Sequence, residues 1–167
     1  MAILTKKVCL IGDFAVGKTS LVSRFVHNIF SDRYLTTIGV KIDTKQLTIS
    51  GLGSIKLVLW DIAGTNRFST MDTHYLRGAT AYLLVVDGTR RDTLDTALQL
   101  KKTADRFLNS PPFVMIFNKT DLQDEWEITD ADIQRLHKEG WKILSASAKQ
   151  GSNVKHAFDL IASSLLQ

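Results

Sequence analysis

Two rhythms of apolar and polar positions alternate along this chain. The apolar run Val8-Cys9-Leu10-Ile11 reads as a strand, and Leu21, Val22, Phe25, Val26 and Ile29 then recur at helical spacing. Val40–Ile49 reads as an edge strand, turned by Ser50-Gly51-Leu52-Gly53 into Ile55–Trp60, where apolar and polar residues alternate. Ala81–Val86 is continuously apolar, as a parallel strand covered on both faces should be. Leu94, Ala97, Leu98, Ala104 and Leu108 mark one face of a helix over Thr93–Leu108, and Pro111-Pro112 stop any helix before the apolar run Phe113–Phe117. Thr129, with Asp132 three positions on, is placed to cap a further helix. Trp141–Leu144 reads as a short last strand, and Val154, Ala157, Phe158, Ile161 and Leu165 as the inward face of a last helix. The alternation predicts an α/β fold in a single domain spanning residues 1–167. Its sheet would be doubly wound and mostly parallel, with one antiparallel edge strand and helices on both faces.

The loop after the first strand carries the first chemistry. Gly12-Asp13-Phe14-Ala15-Val16-Gly17-Lys18-Thr19 is G-x-x-x-x-G-K-T, in the strand–loop–helix setting of a phosphate-binding P-loop. Such a loop points backbone N–H groups of Ala15, Val16, Gly17, Lys18, Thr19 and Ser20 at phosphate oxygens, beside the positive end of a helix. Lys18 would reach the β- and γ-phosphates, and Thr19 would offer its hydroxyl to Mg²⁺. The motif makes the fold class that of a P-loop NTPase and leaves the base open.

The base is addressed by Asn118-Lys119-Thr120-Asp121, which directly follows an apolar run. A strand-end carboxylate accepts two parallel hydrogen bonds from the N1–H and N2 amino edge of guanine, and adenine presents an acceptor there instead. Asp121 therefore selects guanine, Lys119 lays its stem along the base, and Asn118 ties the loop to the P-loop. Between the two motifs, Trp60-Asp61-Ile62-Ala63-Gly64 ends another strand. Asp61 would hold Mg²⁺ through a water, and Gly64 would bring a backbone N–H to the γ-phosphate.

With these motifs on one chain, the sequence resembles the Ras superfamily of small GTPases nearly end to end. The resemblance implies that Ser147-Ala148-Lys149 contacts the base, that Phe30 packs against its edge, and that Thr37 ligates Mg²⁺ when the γ-phosphate is present. Rab proteins are the nearest branch, through Ile38-Gly39-Val40, Trp60-Asp61, Arg67-Phe68-Ser69-Thr70 and Tyr75-Leu76-Arg77-Gly78-Ala79; prokaryotic relatives share such segments. The implied activity is GTP hydrolysis, with Lys18, Thr37, Gly64 and Thr65 at the reaction. Segments 30–40 and 64–76 would switch with the nucleotide and address effectors, exchange factors and activating proteins. Two positions depart from the family. Thr65 stands where a glutamine usually orients water, which implies slow intrinsic hydrolysis, and Asn66 follows it. Phe14 stands where small residues are usual, and either narrows that corner or turns away onto a switch. Ile42, Trp60 and Tyr75 match a Rab triad that touches effectors; Trp60 reads equally as a packed strand aromatic.

Composition narrows the remaining classes. At 167 residues and 44% hydrophobic content, the chain is large enough for a sizeable core. A net charge of +4, spread over separated pairs such as Lys6-Lys7 and Arg90-Arg91, reads as solvated surface, not a nucleic-acid stripe. The single cysteine, Cys9, allows no internal disulfide, and the four histidines never cluster at ligand spacing. These features give a cytoplasmic expectation. The prenylated C-terminal cysteines usual in Rabs have no counterpart before Gln167, so membrane association is not encoded in this chain; with a lipidated tail it would be peripheral on a membrane. Two alternatives stay open: an interaction module that binds nucleotide with negligible turnover, and a GTPase domain cut from a larger protein.

Overall fold

The first apolar run lies inside β1 (Leu4–Gly12), and it packs on both sides. The computed structural model describes residues 3–33, 36–64 and 71–167. Among these, β1 joins β2 (Val40–Ile49), β3 (Gly53–Ile62), β4 (Ala81–Asp87), β5 (Phe113–Asn118) and β6 (Ile143–Ala146) in one sheet of order β2-β3-β1-β4-β5-β6. Only β2 runs antiparallel to its neighbour, placing Ile42 opposite Trp60; every other pairing is parallel. The helices are α1 (Lys18–His27), α2 (Asp92–Leu108), α3 (Asp130–His137) and α4 (Val154–Leu166).

Strand alternation divides the core in two. Val8 and Leu10 face one way, onto Leu21 and Phe25 of α1 and Phe158 and Ile161 of α4. Cys9 and Ile11 face the other way, toward Leu94, Ala97 and Ala104 of α2 and Leu136 of α3. On the first side the rings of Phe25 and Phe158 stack with centroids 3.9 Å apart. On the second, the buried Tyr82 donates its hydroxyl to Asp105 at 2.7 Å, which satisfies its one polar atom. All seven residues of β4 are buried, the apolar run Ala81–Val86 as a central parallel strand requires and Asp87 at its end.

The last strand differs from its sequence reading. Pairing begins where Ile143 meets Met115, so Trp141 lies before β6. Its ring instead packs edge-on against Phe113, centroids 5.5 Å apart, beneath the Lys101 ammonium. Covering the sheet's end with a large ring uses Trp141 more fully than a ladder position would. The carboxyl ends of the parallel strands bring Gly12, Asp61, Asp87, Asn118 and Ala146 to one edge, where ligands of open α/β sheets sit.

Candidate functional site

The loop from Gly12 to Lys18 turns through two left-handed residues, Ala15 at φ 60° and Gly17 at φ 102°. A side chain at Gly17 would place its Cβ 2.2 Å from the Asn118 amide nitrogen, so both backbone and contact demand glycine. Asn118, itself buried, donates from Nδ2 to the Val16 carbonyl at 3.0 Å and accepts on Oδ1 from the Ala148 N–H at 3.2 Å. One amide thus joins the P-loop, the end of β5 and the loop after β6.

Lys18 is buried and donates to the carbonyls of Asp13, at 3.1 Å, and Gly12, at 3.4 Å. Burial brings its ammonium down to about 8, with Asp61 and Asp13 opposing that shift. An anionic ligand here would meet a desolvated cation. Gly64 packs on the P-loop backbone, where a Cβ would come within 2.6 Å of Phe14 Cα.

Thr19, Thr37 and Asp61 converge. The Thr19 hydroxyl lies 2.7 Å from that of Thr37 and donates to Asp61 Oδ2 at 2.5 Å, while Thr37 reaches the same oxygen at 3.4 Å. Asp61 Oδ1 is buried without a hydrogen-bond partner. Burial pushes the Asp61 carboxyl up, against the pull of Thr19, Lys18 and Thr37. A buried carboxylate oxygen in need of a partner, beside two hydroxyls, is a hard all-oxygen donor set that fits Mg²⁺. No three His, Cys, Asp or Glu side chains cluster for a metal among the described residues.

At the other end, Asp121 Oδ1 accepts the Ser147 hydroxyl at 2.7 Å, and Ser147 Oγ accepts from the Gln150 N–H at 3.0 Å. Lys119 sits in the left-handed region at φ 76°. Its ammonium donates to the Ala15 carbonyl at 3.1 Å and to Asp87 at 2.7 Å, so its stem crosses the floor between base end and P-loop. Lys18, Thr19, Thr37, Asn118, Lys119 and Asp121 line one cleft of about 420 Å³, whose walls also include Phe14, Phe30, Ser20 and Lys149, with Asp61, Asp87 and Ser147 bracing it from behind. That is the size of a small-ligand site. Thr65 and the Asn66–Thr70 stretch lie outside the described residues, so nothing is placed there beyond Gly64.

The Ras family model matches residues 7–167. The chain belongs to the Ras family. Individual relatives agree. The Ras-related protein RABA2b of Arabidopsis thaliana is 37% identical over 161 residues, covering 95% of this chain and 75% of that protein. The human Ras-related protein Rab-7L1 is 35% identical over 170 residues, covering 96% and 82%. Rab2BV of Beta vulgaris is 37% identical over 157 residues, covering 93% and 73%.

Within this Ras-family fold, sequence reading passed over several residues that shape the cleft. Asp87, buried at the end of β4, accepts from Lys119, from Thr89 and, at 3.2 Å, from Arg90 Nε. Burial alone would raise its carboxyl, but Lys119 and Thr89 hold it below the usual range. Arg90 Nη2 also donates to the Phe14 carbonyl at 2.5 Å, pinning the P-loop from the β4 side. Arg24 of α1 donates to the carbonyls of Ala148 at 2.8 Å and Lys149 at 2.5 Å. A strand-end position signals Asp87, by analogy with Asp61 and Asn118; the arginines carry no such signal.

Proposed function

We propose that residues 1–167 form a single GTPase domain that binds GTP and GDP with Mg²⁺ and hydrolyses GTP slowly. The observation that carries this reading is one cleft with a P-loop lysine at one end and the Asp121 carboxylate, braced by Ser147, at the other. Asp121 would receive N1–H and N2–H of guanine, and the Ala148 N–H, which donates to Asn118 Oδ1 at 3.2 Å here, would turn to or be shared with the guanine carbonyl. Phe30 and the Lys119 stem would flank the base.

Thr19, Thr37 and Asp61 would hold Mg²⁺, whose charge, when bound, would offset that of the phosphates. The P-loop N–H groups from Ala15 to Ser20 would orient the triphosphate for in-line attack by water. Lys18 would trade its two backbone carbonyls for phosphate oxygens, and the Gly64 N–H would meet charge developing on the transferred group. Thr65 cannot reach a water as a glutamine amide does, which supports a low intrinsic rate. With Phe14 on the cleft wall and 40% exposed, a partner's arginine would enter a narrowed corner. Segments 30–40 and 64–76 would carry the nucleotide state to effectors, exchange factors and activating proteins. Ile38 at 91% and Ile42 at 48% exposure, beside the Trp60–Tyr75 pair, offer the apolar surface for that contact.

The test is to identify the nucleotide released on denaturing freshly purified protein, then time single-turnover GTP hydrolysis. Guanine nucleotide and slow, measurable turnover are expected, and Thr65→Gln with Phe14→Ser should raise the rate by on the order of 10². Equal affinity for ATP and GTP would refute the reading. Bound guanine nucleotide with no turnover, even in the double variant, would favour the second reading, an interaction module, to which Thr65 already points.

A further inference from the structure

Trp126 lies outside the cleft, yet it touches the turn that recognises the base. Its indole Nε1 donates to the Lys119 carbonyl at 2.9 Å, which also accepts from the Leu122 N–H at 2.9 Å. Lys119 is the left-handed residue of the Asn118–Asp121 turn, a backbone state that is unfavourable for a non-glycine residue and persists where its surroundings hold it.

The ring's position depends on Gly88. A Cβ there would fall 2.1 Å from Trp126 Cε2, inside the indole, so the ring occupies space that any other residue would fill. Gly88 also stitches the two strands' ends to the Trp126 segment: its N–H donates to the Asn118 carbonyl at 3.1 Å, and its carbonyl accepts from Glu127 at 2.9 Å and Ile128 at 3.3 Å. Behind the ring lies Phe117, centroids 6.5 Å apart. The indole is therefore seated by backbone and core, and its single N–H is aimed at the turn.

We propose that Trp126 is a positioning residue for base recognition: seated on Gly88, it fixes the Lys119–Asp121 turn so that Asp121 meets both guanine donors at once. This rests on the guanine reading above. Asp121 lies two residues from Lys119, so rotation at Lys119 displaces the carboxylate, and the two-donor match is lost before phosphate binding is.

The experiment compares GDP with inosine diphosphate, which lacks the N2 amino group, on the wild type, Trp126→Phe and Gly88→Ala. Phenylalanine keeps the packing and removes the N–H; the Gly88→Ala methyl displaces the whole ring. Trp126→Phe should release a fluorescent GDP about three- to tenfold faster, the cost of one hydrogen bond. The GDP-to-inosine-diphosphate affinity ratio should narrow by a similar factor. Gly88→Ala should narrow it as well, and the double variant no further than the worse single one. A packing role alone would lower the melting temperature and both affinities together. An unchanged ratio in Trp126→Phe, with or without a lower melting temperature, overturns the proposal, even should Gly88→Ala fail to fold. A wild type that does not prefer GDP to ADP would instead overturn the guanine reading beneath it.

Discussion

Two aspartates serve opposite ends of the cleft: Asp61 at the end of β3, behind its wall, and Asp121 in the turn after β5, on it. Asp61 is desolvated and keeps one oxygen unpartnered, which suits a cation; Asp121 has one oxygen braced by Ser147, which suits a neutral donor edge. Replacing Asp121 with asparagine turns an acceptor pair into an acceptor and a donor. We expect Asp121→Asn to lose GTP affinity by on the order of 10² to 10⁴ and to gain xanthosine triphosphate, whose carbonyl replaces the guanine amino group. Titration calorimetry with the two nucleotides measures both. Cys9 gives a second check. Its thiol is fully buried, points at the Tyr75 carbonyl at 3.5 Å, and burial pushes it up to about 12. At pH 8 only about one part in 10⁴ is thiolate, so alkylation of native protein should be silent and should appear only on unfolding. The residues legible in the sequence were those in short motifs, such as Lys18, Asn118 and Asp121, which the fold brings to one cleft. Arg24 and Arg90 were not, because each acts on a backbone carbonyl distant in sequence, and no local spacing encodes that.

Elements were legible where periodicity and end signals agreed. Helix α3 begins at Asp130 because Thr129 accepts from the Asp132 N–H while Asp132 accepts from the Thr129 N–H, a full capping box. The sequence signalled the cap, but not that Asp132 is shared. Arg91, the residue before α2, grips both its oxygens at 2.6 and 2.7 Å, so one carboxylate starts α3 and fastens it to α2. Pairing across 41 residues leaves no trace in local pattern, just as the ring contact of Trp141 with Phe113 left none in its apolar run. The Arg91 guanidinium, with the cap, holds the Asp132 carboxyl far below the usual range. The sign follows: stability from this group is present above the ordinary carboxylate value near 4 and is lost as pH falls from there toward the depressed folded value. Arg91 is half-exposed, so solvent screens the pair, and the cap contributes about 1 kcal/mol. Asp132→Asn should therefore cost about 1 kcal/mol in urea unfolding at pH 7, and the gap to wild type should shrink once the pH drops below about 4.

At the scale of the whole molecule, the cleft is where otherwise separate parts of the sheet edge meet. The loops after β1, β3, β4, β5 and β6 contribute to its walls or to their bracing, and Thr37 arrives from the segment before β2. A ligand that spans them therefore reports on the entire fold. Nucleotide at a hundred times its dissociation constant should add about 2.7 kcal/mol to stability, or roughly 5–10 °C in melting temperature for a chain of this size. Chelating Mg²⁺ should remove much of that gain, because Asp61 Oδ1 then returns to burial without a partner. In the proposed switch, the state dependence would rest on Thr37. Its hydroxyl meets Thr19 and Asp61 at the point where a γ-phosphate and its cation would sit, whereas GDP leaves that corner empty of phosphate. A non-hydrolysable GTP analogue should thus raise the melting temperature more than GDP does, measured with both at the same multiple of their dissociation constants for the Thr37→Ala variant. In wild type at equal ligand concentrations, hydrogen exchange should show the difference as added protection near residues 36–40 and 71–76. Thr37→Ala should weaken analogue binding by about three- to tenfold, leave GDP binding within a factor of two, and erase the protection difference. If the variant weakens both nucleotides alike, Thr37 is a structural tie to Asp61 in either state and segment 30–40 carries no signal. If only the analogue is affected, a single hydroxyl couples the third phosphate to the surface formed by Ile38 and Ile42.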